Sequence, residues 1–129
     1  MSLALIQQFY GLAGSGRFDE ALGLFAEDAR VQFNGPREIP LSGVYEGHAG
    51  IQRFFGIVAA NVQVELFEAL EFIDGGATVA VVGHERSSVK STGKRFDVPW
   101  VQVWRVRDGR IAELVDFFDT GSMTHAFQN

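Results

Sequence analysis

The chain has 129 residues, 47% of them hydrophobic and 21% charged, with a net charge of −5 and no cysteine. That profile suits one soluble domain, residues 1–129, around a single core, and it excludes disulfides, thiolate nucleophiles and cysteine-held metals. An acidic balance without a basic run argues against nucleic acid as a partner.

No apolar run nears the roughly 20 residues that span a bilayer. The opening MSLALIQQFY has neither a basic leader nor a cleavage motif, so the expected location is cytoplasmic. Leu5, Phe9 and Leu12 recur at helical spacing with Ile6 and Tyr10 beside them, which predicts a helix over 3–14. Gly14-Ser15-Gly16 breaks it. Phe18, Leu22 and Phe25 predict a second helix over about 17–27, with Ser15 as its cap.

A short strand is expected over 29–33. The Gly- and Pro-rich stretch 34–47 is expected to be an irregular loop. Ile51, Phe54, Phe55 and Val58 give a third helix over about 48–60 an apolar face. Strand-like runs follow over 62–73, 77–91, 95–107 and 110–118, and a terminal helix over 122–127. Helix, helix, strand, helix and four antiparallel strands make an α+β fold, a curved sheet with its helices on one face. A sheet curved around a helix is expected to enclose a pocket.

The last two strands carry the chemistry. Asp108-Gly109 suits a tight hairpin turn. Alternation along the arms puts Trp100, Gln102 and Trp104 on one face of the first arm. It puts Ala112, Leu114, Asp116 and Phe118 on one face of the second. Asp116 is then a carboxyl among core residues. Such a group must be paired, hydrogen-bonded or neutralised, and it is a candidate acid/base. The ordinary alternative is an aspartate that holds an arginine. His84, Arg86 and Ser88 share one face of the strand over 77–91. Either they form a polar ladder facing the pocket, with Arg86 pairing Asp116, or they face solvent. Val79, Val81, Val101 and Val103 are expected on the outer face, too apolar to stand bare, which predicts a homodimer. The three histidines lie too far apart in sequence for ligand spacing, so no metal site is expected.

The element order and the phrases RFDEALGLFAEDARVQF, YEGHAGIQRFF and VWRVRDGRIAELVDFFDT resemble the nuclear-transport-factor-2-like superfamily. The likeness is to its SnoaL-like polyketide cyclase and ketosteroid-isomerase-related branch. The resemblance implies a cone-shaped curved sheet wrapped around helices with an internal pocket, a cystatin-like α+β barrel. It implies Asp116 as the acid/base group, and two branches of the superfamily place a catalytic aspartate there. The cyclases' histidine would fall at Gln102. Epoxide hydrolases of this type place Arg-x-Asp where this chain has Arg86 and Ser88, and their pocket asparagine corresponds to Asn34. The tyrosine and the two aspartates of ketosteroid isomerase fall at Phe9, near Asn34 or Gly35, and near Trp100, so its three groups are missing.

The expected function is a cofactor-independent enzyme, an isomerase or polyketide cyclase. Asp116, Arg86 and His84 are the catalytic candidates. Gln102, Trp100, Trp104, Phe118, Leu114, Asn34 and Tyr45 would bind an apolar, carbonyl-bearing small molecule. Alternatives are a limonene-epoxide-hydrolase-like hydrolase, and a non-catalytic module for ligand binding or dimerisation.

Overall fold

The computed structural model describes residues 2–129. Its elements are α1 (Ser2–Gly14), α2 (Phe18–Leu22), β1 (Phe25–Asn34), β2 (Gly43–Glu46), α3 (Gly47–Asn61), β3 (Val62–Gly75), β4 (Thr78–Val89), β5 (Arg95–Arg107), β6 (Arg110–Phe118) and α4 (Thr120–Phe127). This is an α+β fold. The strands form one curved, unclosed sheet in the order β2-β1-β6-β5-β4-β3. All neighbours are antiparallel except β1 and β6, which run parallel.

The chain departs from the sequence expectations in several elements. The second helix stops at Leu22, because Phe25 begins β1 and pairs with Ile111. Ser15 does not cap it; the Ser15 hydroxyl donates back to the Gly11 carbonyl. The loop over 34–47 contains strand β2, whose Tyr45 pairs with Val31. At the C-terminus Asp119 caps α4 by accepting from the Ser122 amide at 3.2 Å.

The core lies on the inner face of the sheet, where α1 and α3 pack. Alternation places Val31 and Phe33 of β1, Val79 and Val81 of β4, Trp100 and Trp104 of β5, and Leu114 of β6 inside. Val79 and Val81 are therefore absent from the outer face, contrary to the sequence expectation. Their outward neighbours Ala80 and Val82 stand beside Val103 and Val101 there. Asp108 and Gly109 both have positive φ, 53° and 74°, which is the geometry that the β5–β6 hairpin turn requires. A register shift between Arg105 and Val106 brings Ile111 inward in place of Ala112. Beyond it the expected face of Leu114, Asp116 and Phe118 is restored.

Candidate functional site

The hairpin sets Gln102 directly opposite Asp116. Both side chains point inward, and Asp116 is only 2% exposed. The Gln102 amide nitrogen donates to Asp116 Oδ1 at 2.5 Å. The Gln102 carbonyl oxygen accepts from the Tyr10 hydroxyl. That hydroxyl in turn accepts from Trp104 Nε1 at 3.0 Å. Trp104, Tyr10, Gln102 and Asp116 thus form a chain of donors that ends on the carboxyl. The Tyr10 hydroxyl is pushed above its ordinary range, first by burial; the charge of Asp116 adds to that effect.

Burial also dominates at Asp116. Desolvation disfavours the carboxylate, the Gln102 hydrogen bond opposes that, and the charge of Glu85 reinforces it. The net result raises the pKa from 3.8 to about 7. Glu85 is the second inward carboxyl, 6% exposed, and it accepts from the Ser87 hydroxyl at 2.6 Å. Burial raises its pKa to about 7 against the opposing Ser87 bond.

Other expected partners lie elsewhere. Arg86 and His84 point to the outer face, because Glu85 and Ser87 take the inward positions of β4. Arg86 approaches Glu65 at 4.0 Å, and His84 bonds Asp97. Neither meets Asp116, and among the described residues the aspartate makes no ion pair. Asn34 is also on the outer face; its amide donates to the Asp116 backbone carbonyl at 3.3 Å and leaves the carboxyl alone. Tyr45 is buried against Phe54, with its hydroxyl on the Leu41 carbonyl at 2.7 Å, away from the site. Trp100, Trp104, Leu114 and Phe118 do share the inner face with Asp116 and Gln102.

Aromatic rings fill the space before the carboxyl. Trp104 packs on Phe9, and Trp100 lies between Phe67 and Tyr10 with centroid distances of 4.7 and 6.2 Å. A surface depression of about 470 Å³ lies away from the carboxyl, between the start of α1 and the Asp108–Gly109 turn. Among the described residues no group of three His, Asp or Glu side chains is arranged to hold a metal.

Tyr10 and Glu85 are the site residues that sequence reasoning missed. Tyr10 reads only as part of an amphipathic helix, and its partner is 92 positions away. Glu85 stands among polar residues, and only the inward positions of Val79, Val81 and Val89 at the same parity betray it.

The SnoaL-like domain family matches residues 6–114. The protein is a SnoaL-like domain. The match ends two residues before Asp116, so the site rests on the geometry described above. No curated protein matches the sequence. Among solved structures, an NTF2-like protein from Burkholderia xenovorans LB400 is 28% identical, with a TM-score of 0.90 over 98% of this chain and 95% of that one. An NTF2-like protein of unknown function from Burkholderia pseudomallei K96243 is 24% identical, with a TM-score of 0.90 over 99% and 98%. TerC co-crystallised with polyporic acid is 23% identical, with a TM-score of 0.84 over 99% and 98%. The last two likenesses concern the fold. Among the described residues of this SnoaL-like chain, no helix is long and apolar enough to cross a membrane.

Proposed function

We propose that this SnoaL-like protein is an enzyme that moves a proton on an apolar, carbonyl-bearing small molecule, with Asp116 as the acid/base group. The observation that carries the reading is a buried inward carboxyl held by a neutral amide and by no cation. A carboxyl in that setting titrates near neutrality, where a general base works best. Gln102 positions it and is itself held by Tyr10. A fold shared with a protein crystallised with polyporic acid supports a small organic ligand. Isomerisation and aldol-type ring closure both fit this chemistry. Epoxide hydrolysis helped by Arg86 loses its guanidinium to the outer face. The protein acts as a homodimer through that outer face, where Phe117 is 47% exposed beside Val101.

The test compares thermal or denaturant stability of wild type and Asp116→Asn at pH 5 and pH 8. A folded pKa near 7 against an unfolded value near 3.8 means stability that is present at low pH and lost as pH rises through 7. The neutral amide escapes that loss. Asp116→Asn is therefore expected to exceed wild type at pH 8 by roughly 2–4 kcal/mol and by much less at pH 5. If Asp116→Asn instead destabilises the protein by several kcal/mol at pH 8, the carboxylate is a stabilising structural charge and the proposal fails.

A further inference from the structure

Three residues run diagonally across the inner face. Trp100 pairs with Phe118 on β6 and with Gly83 on β4. Asp116 and Glu85 are each two residues from those partners, so they take diagonal register positions on the two strands either side of Trp100. Trp100 Nε1 is buried and has no acceptor among the described residues. A buried indole N–H ordinarily finds a partner, and leaving it unpaired is costly. The ring's position is built in. A Cβ on Gly83 would collide with the six-membered ring of Trp100 and with the Glu68 carbonyl, so only glycine lets the indole lie there. Phe67 stacks on the same ring and is 40% exposed. It stands in β3 between two register irregularities, Val64/Leu66 and Ala69/Glu71.

We infer that Trp100 Nε1 is the donor for the ligand's carbonyl oxygen and that Glu85 is a second catalytic acid/base residue beside Asp116. The inference rests on the proton-transfer reading above and adds the partner groups. Asp116 takes a proton from the carbon next to the carbonyl. The C–H electron pair becomes the enolate π bond, and the Trp100 N–H binds the resulting oxyanion. Protonated Glu85 gives its proton to a carbon of the enolate, which restores the carbonyl. Asp116 then holds one proton and Glu85 has lost one. Exchange with water resets both, and no oxidant or reductant is needed. The ligand is a planar carbonyl compound whose ring takes the place of Phe67 on the indole.

The probe is 2-tetralone, a planar apolar ketone with acidic α-hydrogens, incubated in D₂O and followed by proton NMR. Wild type should incorporate deuterium at the α-carbon above the buffer rate, because Glu85 returns deuterium where Asp116 removed hydrogen. Asp116→Asn should abolish uptake. Glu85→Gln should lower it by at least about tenfold, since Asp116 then hands back the hydrogen it took, and Glu85→Asp should restore part of it. Trp100→Phe, which keeps a flat ring and loses the donor, should cost about a hundredfold. Uptake that is lost in Asp116→Asn but unchanged in Glu85→Gln overturns the second acid/base and leaves the proposed function standing. No uptake by wild type overturns both. A second measurement does not depend on any variant folding. In wild type the indole N–H resonance of Trp100 should shift on adding 2-tetralone while that of Trp104, bonded to Tyr10, stays. An unmoved Trp100 signal overturns its role as donor.

Discussion

Tyr10 contributes one oxygen to the site, and two buried groups depend on it. In Tyr10→Phe the Trp104 N–H and the Gln102 carbonyl both lose their partner. Each unpaired buried group costs about 1–3 kcal/mol, so denaturant unfolding should register a loss of at least about 2 kcal/mol. Freed from Tyr10, the Gln102 amide can rotate away from Asp116. Its hydrogen bond is the influence that holds the Asp116 pKa down, so that pKa should move above 7, visible by carbon-13 NMR of labelled aspartate. A stability unchanged within error would mean that water serves both groups and that the hydroxyl is dispensable.

At the scale of elements, β4 carries both Gly83, which lies against the indole, and Glu85 two residues on. Gly83→Ala should displace the Trp100 ring or open the β3–β4 pairing at the Glu68 carbonyl. Overpacking of this kind costs about 1–3 kcal/mol, and near-UV circular dichroism should show a changed tryptophan band. An unaltered spectrum and melt would mean that the strand yields without strain. The same strand explains what the sequence conceals. Asp116 is legible because it shares a strand parity with Leu114 and Phe118, whereas its pairing with Gln102 depends on the register shift between Arg105 and Val106, which the turn alone does not announce. Glu85 is not. The strand is apolar at both parities near its start, with Val79 and Val81 inward and Ala80 and Val82 outward. Hydrophobic alternation therefore cannot choose a face there. The polar run His84–Ser88 then favours the wrong parity and puts Arg86 in the place that Glu85 takes. Strand β2 is hidden for a different reason: a four-residue edge strand inside a Gly- and Pro-rich stretch carries too little pattern to stand out.

For the whole molecule, the proposed homodimer rests on the outer face. Val101, Val103 and Val115 of the central strands form a half-buried apolar stripe between Phe117 and Val82. A patch of this kind suits an isologous contact between two copies. Sedimentation at tens of micromolar, a working concentration for interfaces of ordinary affinity, should show a dimer. Val103→Asp should give a folded monomer, because the side chain points away from the core. Wild type that sediments as a monomer would remove the outer face from any role in assembly.

The hydrogen bond between Tyr10 and Gln102 joins positions 92 residues apart. The first helix and the last two strands must therefore find each other before the carboxyl loses its water, and closing so long a loop is slow. Because burial raises the Asp116 pKa from 3.8 to about 7, formation of the site near neutral pH is expected to be accompanied by proton uptake at that carboxyl. Assembly of the site is in this sense a protonation event. Refolding followed with a pH-indicator dye would record the moment at which the site comes into being.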